Sequence, residues 1–130
     1  LCWTNMVHVR GVSIATQEVN TMAIPHANPG QPVSVRPFGA TLAQQQTTAI
    51  FKTTRLEVMR LVLPQGKSMR EHKVAGAITV HCLEGRIAFA HGTENQVLAA
   101  GELLYLGGGV EHSLTALEDA SALLTIVLCP

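Results

Sequence analysis

Short runs of apolar residues, separated by turn signals, dominate the chain after residue 50. Six runs are rich in β-branched or aliphatic residues: 55–63, 77–83, 86–90, 103–106, 113–117 and 122–128. Each is bounded by glycine, proline or charged residues, as at Pro64-Gln65-Gly66, Glu84-Gly85, His91-Gly92-Thr93-Glu94-Asn95, Gly107-Gly108-Gly109 and Glu118-Asp119. Short strands with turns at this spacing are typical of an antiparallel sandwich or barrel. The pattern therefore predicts an all-β fold.

Helix competes poorly with strand here, because no window after residue 50 keeps a 3.6-residue apolar stripe for three turns without glycine or proline. Residues 41–50 are the one stretch where a helical turn is predicted. Residues 25–37 hold four prolines and a glycine, which indicates a loop or an extended arm. The predicted organisation is an N-terminal extension or arm, residues 1–30, followed by one barrel domain, residues 31–130.

Charge is balanced and scattered along the chain, which excludes one class of partner. Nine basic and nine acidic side chains give no net charge, so nothing concentrates the positive field that a nucleic-acid backbone requires. Nucleic acid is not an expected partner. Four cations either line a mouth that attracts an acidic ligand or are simply solvated surface: Arg60, Arg70, Lys73 and Arg86.

No membrane segment is expected from the hydropathy pattern. The apolar run at residues 122–129 is interrupted by Thr125 and is far shorter than the roughly 20 residues of a spanning helix. The N-terminal residues lack the basic cluster, apolar stretch and cleavage site of a secretory signal, so a cytoplasmic protein is expected. Cys2, Cys82 and Cys129 are odd in number and widely spaced, which favours reduced thiols over a disulfide framework.

Two histidines lie 40 residues apart, each where a glycine-bounded loop meets a predicted strand. The first stands in Gly66-x5-His72 and the second in Gly101-x7-Gly109-x2-His112. These spacings resemble the two motifs of the cupin family, G-x5-H-x-H-x3-E-x6-G and G-x5-P-x-G-x2-H-x3-N. The resemblance covers about residues 56–128 and extends to the final glycine of the first motif, which falls on Gly85.

The resemblance implies a small single-domain cupin-like antiparallel β-barrel, the double-stranded β-helix or jelly roll of the RmlC-like superfamily. It also implies a homodimer, because small barrels of this family commonly exchange strands. In cupins that hold a metal, two histidines and a glutamate of the first motif and the histidine of the second are the usual ligands. Here Val74 and Ile78 occupy two of these four positions, so only His72 and His112 carry over as candidate ligands.

A pocket near His72 and His112 follows from the same comparison. Side chains alternate across a strand, so Ile78, Val80 and Cys82 share one face and His81 lies on the other. With Ile78 facing the interior, His81 faces outward and Cys82 is a small buried hydrophobe. The predicted substrate pocket is lined by four residues: Val74, Ile78, Val80 and Tyr105.

Three functions remain open for this pocket. The first is non-enzymatic binding of a small organic ligand inside the barrel. The second is a metal-dependent oxygenase or isomerase, with a divalent transition metal (Zn, Ni, Fe or Mn) held by His72, His112 and waters. The third is a metal-free isomerase or epimerase that uses His72 as general base. Sequence does not choose among them, because fold does not determine function.

Overall fold

The computed structural model describes residues 26–129, and at positions 71 and 72 it describes the backbone only. In this part of the chain a short 3₁₀ helix (Gly39–Gln44) precedes nine strands: β1 (Thr48–Lys52), β2 (Leu56–Leu63), β3 (Ser68–His72), β4 (Ile78–Glu84), β5 (Arg86–His91), β6 (Glu94–Ala99), β7 (Leu103–Leu106), β8 (His112–Ala116) and β9 (Ala120–Val127). Most of the predicted extension, residues 1–25, lies outside the described residues. The boundary at residue 30 stays a prediction.

The strands form two antiparallel sheets. The first has the order β1-β2-β9-β4-β7, and the second has the order β3-β8-β5-β6. Strands that are distant in sequence lie side by side, as β2 pairs with β9 and β3 with β8. This crossing connectivity is that of a jelly roll, in which two sheets face each other across one core. The predicted all-β antiparallel barrel is confirmed.

Strand alternation gives each sheet one face in the shared core. In β4, Ile78, Val80 and Cys82 are at most 3% exposed, so the predicted parity of this strand is confirmed. From the second sheet, β5 contributes Ile87 and Phe89, both 0% exposed. Each such side chain stabilises the fold by roughly 1.5–3 kcal/mol through burial.

The glycines that carry the motif resemblance stand at turns. Four of them have φ values between 79° and 89°: Gly66, Gly85, Gly101 and Gly109. Gly85 also joins β4 to β5 at a close approach, where a Cβ atom would lie 2.2 Å from the carbonyl oxygen of Asp119. A larger residue would be strained in backbone and would collide with the β8–β9 turn. The spacing of the motifs therefore reflects backbone geometry.

Three strands, β1, β3 and β6, were not predicted. The five residues of β3 are mostly polar, and β6 begins with Glu94-Asn95-Gln96, so neither of these two strands shows apolar alternation. The predicted turn over residues 91–95 was wrong in part, because β5 continues to His91 and β6 starts at Glu94. The predicted helical turn over 41–50 is also correct only in part, since the 3₁₀ helix ends at Gln44 and β1 follows.

A buried polar network covers the outer face of the first sheet. Arg60 on β2 is 5% exposed and lies 3.6 Å from Glu84 on β4, with Ser121 of β9 donating a hydrogen bond to the same carboxylate. Glu84 also accepts hydrogen bonds from the backbone N–H groups of Phe38 (2.9 Å) and Gly39 (3.0 Å). The expectation of a solvated Arg60 is therefore wrong, because the segment before the 3₁₀ helix closes over it.

Candidate functional site

Three histidine positions stand side by side where strands of the second sheet begin or end. His72 ends β3, His112 begins β8 and His91 ends β5. In the strand register His112 is the partner of His72 on one side and of His91 on the other. Since directly paired residues of antiparallel strands point to the same face, the side chains of His91 and His112 share one face of the second sheet. We call positions 72, 112 and 91 the histidine row.

His112 is held firmly in this row. Its side chain is 4% exposed, and its ring stacks on Phe89 with centroids 5.6 Å apart and planes inclined by 9°. Its Nδ1 lies 3.0 Å from the carbonyl oxygen of Val110. Since a carbonyl only accepts, Nδ1 carries the proton and the lone pair of the neutral ring is on Nε2.

His91 contacts the same aromatic ring. The centroids of His91 and Phe89 are 6.0 Å apart at an angle of 56°, and the two residues are two positions apart on β5, so both point inward. His91 is half-buried, whereas His112 and Phe89 are buried. The two imidazoles thus lie over one apolar ring, with His91 nearer to solvent.

Partly buried apolar side chains occur toward this end of the barrel. Apolar residues around the histidine row are only partly buried and pack against the core: Met59, Val74, Val110 and Ile126. At the opposite end of the strands, by contrast, Leu63, Ile87 and Ala120 are at most 1% exposed. A backbone hydrogen bond of 2.8 Å from Gly109 to Val74 joins the two loops that precede β4 and β8. We call this region the histidine end of the barrel.

The residues predicted to line a pocket lie in different parts of the structure. Val74 lies at the histidine end, and Ile78 and Val80 belong to the core beneath it. The prediction that Tyr105 lines the pocket was wrong: its side chain is 73% exposed, and Tyr105 pairs with Thr79 on the outer face of the first sheet. The reason is parity, because its neighbour Leu106 is buried on the inner face.

Two further expectations concern β4. His81 is the register partner of Leu103, which is 64% exposed, so its predicted outward direction is confirmed. Cys82 is 0% exposed, and burial raises the pKa of its thiol, which is also hydrogen-bonded to the backbone of Glu84. It is a core residue, as predicted, and not a nucleophile.

Cys129 is disulfide-bonded, so the expectation of reduced thiols is wrong at this position.

His91 is the residue that sequence reasoning missed. It was assigned to a turn together with Gly92-Thr93-Glu94-Asn95. The signal that could have found it is the alternation Ile87, Phe89, His91, which extends the inward face of β5 by one position.

Within residues 26–129, no group of three or more described His, Cys, Asp or Glu side chains is close enough together to hold a metal ion. The side chain of His72 is not among the described ones. No helix in the same part of the chain is long and apolar enough to cross a membrane. The cytoplasmic location stays a prediction, as does the homodimer.

Comparison with known proteins places the fold. No family model matches the chain, and no curated protein does. A conserved protein of unknown function from Streptococcus pyogenes is 22% identical, with a TM-score of 0.65 over 83% of this chain and 98% of that one. A cupin superfamily protein from Desulfitobacterium hafniense is 14% identical, with a TM-score of 0.66 over 79% and 100%.

A third similar structure is an RmlC-like cupin protein from Desulfovibrio desulfuricans, which is 17% identical. Its TM-score is 0.63 over 75% of this chain and 96% of that one. Likeness at such identities concerns architecture, because one fold serves many functions. Together with the two antiparallel sheets, these matches establish that the chain has the cupin fold, an all-β jelly roll.

Proposed function

We propose that this protein binds a small organic molecule at the histidine end of its barrel, near His72 and His112 and beside His91. The observation that carries the proposal is the pair of inward imidazoles over the Phe89 ring, 5.6 and 6.0 Å from it. Ligand sites combine an apolar surface with a few placed polar groups, and this end of the barrel offers both.

The chemistry of His112 narrows the class of ligand that this end of the barrel would bind. The hydrogen bond between its Nδ1 and the Val110 carbonyl fixes the orientation of the ring. Imidazole exchanges hydrogen bonds with hydroxyl and amide groups, so a hydroxyl or amide N–H is the kind of ligand group that we expect at this end of the barrel. The half-buried side chains of Val74 and Val110 suit an aliphatic or ring portion of the same molecule. We infer a small, mostly apolar compound with at least one hydrogen-bond donor.

A divalent transition metal is the second candidate, and His91 favours it. Zn, Ni, Fe or Mn held by His72 and His112 would gain a third imidazole from the neighbouring strand. The Val110 carbonyl on Nδ1 of His112 is the kind of second partner that orients metal-binding histidines. Such an ion would supply Lewis-acid or oxygen chemistry for an isomerase or oxygenase. A metal-free isomerase with His72 as general base is the remaining alternative.

Ligand-observed NMR with a fragment set tests the first candidate. The set contains aliphatic alcohols, simple sugars, phenols and their methyl ethers, so that each hydroxyl compound has a partner without the donor. We expect hydroxyl fragments to bind and affinity to fall about tenfold or more in His112→Phe, which keeps an aromatic ring on Phe89. His81→Phe, an outward histidine on β4, is the matched control and leaves binding unchanged.

Elemental analysis separates the candidates. The protein is purified without a chelator or a metal-affinity tag, as are His72→Ala, His91→Ala and His112→Ala. Stoichiometric metal that is lost in these variants supports the second candidate. Fragment binding in metal-free protein supports the first. Unchanged fragment affinity in His112→Phe, with no metal in the parent protein, would show that the histidine end is not the site.

A further inference from the structure

A cavity lies outside the barrel, on the outer face of the first sheet. Its volume is about 340 Å³, within the range of pockets that hold small organic ligands. The segment before the 3₁₀ helix forms one wall with Val33 and Phe38, and Ile50 of β1 forms another. Residues 44–46, a run of three glutamines, add polar groups, and Arg60 also lines the cavity. None of these residues belongs to the histidine end.

Arg60 is under-satisfied in this position. One terminal nitrogen, Nη2, donates hydrogen bonds to the Arg36 carbonyl (2.8 Å) and to Ser121 Oγ (3.1 Å). The Phe38 ring lies over the guanidinium, 4.0 Å from Cζ. The Nε atom, however, is buried and has no hydrogen-bond partner among the described residues. An unpaired buried donor is unfavourable, so the hydrogen-bonding capacity of this guanidinium is not fully used within the described residues.

The charge of Arg60 is also incompletely paired. Its distance to Glu84 Oε2 is 3.6 Å, longer than a hydrogen bond. The same carboxylate accepts hydrogen bonds from Ser121 and from the backbone N–H groups of Phe38 and Gly39. Because these three donors share the negative charge of Glu84, the guanidinium keeps part of its attraction for an anion. Burial lowers the pKa of Arg60, which reflects the same incomplete solvation.

We propose that this cavity binds a small carboxylic acid, with its carboxylate facing the Arg60 guanidinium that lines the cavity and its apolar body lying against Val33, Phe38 and Ile50. Guanidinium and carboxylate are well matched in geometry and charge. The site is independent of the proposed function, since it uses the outside of the first sheet, whereas His91 and His112 lie on the inner face of the second.

Arginine side-chain NMR on the full chain tests the proposal directly. The Nε–Hε resonance of Arg60 is followed during titration with butyrate and benzoate, and with butyramide and benzamide as neutral matches of the same shape. We expect a saturable shift with the acids and about tenfold or more weaker binding of the amides. Arg60→Gln abolishes acid binding, whereas Arg86→Gln, which removes one positive charge from the second sheet, leaves it intact.

A second variant guards against a folding defect in Arg60→Gln. Val33 is 37% exposed, so Val33→Phe fills the cavity without removing a buried contact of Arg60. Acid binding is expected to fall about tenfold in Val33→Phe while the Arg60 resonance persists. The proposal is overturned if neither acid shifts that resonance up to about 10 mM, if the amides bind equally well, or if Val33→Phe binds like the parent protein.

Discussion

Two ion pairs of the same length lie in contrasting surroundings. Arg60 and Glu84 are 3.6 Å apart with side chains that are 6% and 15% exposed. Arg86 and Glu118 are also 3.6 Å apart, but their side chains are 50% and 53% exposed. Separation therefore does not distinguish the pairs. What distinguishes them is how much water each charge keeps and which other groups depend on it.

The buried pair is part of a network that connects distant segments. Glu84 is tied to Phe38 and Gly39, which lie 46 and 45 positions earlier in the chain, and to Ser121 on the neighbouring strand. Removing one member leaves the others buried without partners, which costs more than the pair itself contributes. At the exposed pair water replaces a lost partner, so the same distance carries little free energy.

The largest effect is expected from Glu84→Ala. It leaves the Arg60 charge without its ion-pair partner, and two backbone N–H groups and the Ser121 hydroxyl without their acceptor. We expect the free energy of unfolding to fall by about 3 kcal/mol, measured by urea denaturation. Hydrogen exchange at the Phe38 and Gly39 amides is expected to accelerate in the same variant. A loss below about 1 kcal/mol would mean that the network is not coupled to folding.

Acid should weaken the buried pair next. Burial alone would raise the pKa of Glu84, but hydrogen bonds from Ser121, Phe38 and Gly39, with the charge of Arg60, hold it below its ordinary value of 4.5. The ionised carboxylate therefore stabilises the folded chain fully above the unfolded-state pKa, and this stabilisation is lost as the pH falls through the lower folded-state pKa.

Urea denaturation between neutral pH and pH 3 measures this contribution. Glu84→Gln keeps the shape of the side chain and removes its titration. We expect this variant to be less stable than the parent protein at neutral pH, with the difference shrinking below about pH 4.5. Two curves that stay parallel over the whole range would show that Glu84 does not titrate differently in the folded and unfolded chain.

Local patterns explain what the sequence could predict. The strand Leu103–Leu106 is where its aliphatic residues and the flanking glycines placed it, and the shared face of Ile78 and Val80 follows from strand alternation. Both features depend on residues close together in the chain. The meeting of His72 and His112 in one register pair joins distant strands, and the resemblance of the two motifs to the cupin family implied it.

Features that depend on residues distant in the chain were not predicted from the sequence. β3 and β6 are strands because neighbours in the second sheet supply their hydrogen bonds, and their own residues carry little apolar alternation. His91 was assigned to a turn because a glycine follows it, although β5 continues to His91. The burial of Arg60 requires the Arg36 carbonyl and Glu84, each 24 positions away. No local sequence pattern predicts these contacts.

The smallest effect is expected at the exposed pair, and it decides the comparison. Glu118→Ala should change the free energy of unfolding by less than about 0.5 kcal/mol, because water solvates Arg86 once its partner is gone. Any residual effect should shrink further at about 1 M salt, where exposed charges are screened within about 3 Å, whereas the cost of Glu84→Ala should persist. If Glu118→Ala were as damaging as Glu84→Ala, separation rather than surroundings would govern both pairs. A small, salt-sensitive change would instead assign the difference to burial and to the three hydrogen bonds that Glu84 accepts.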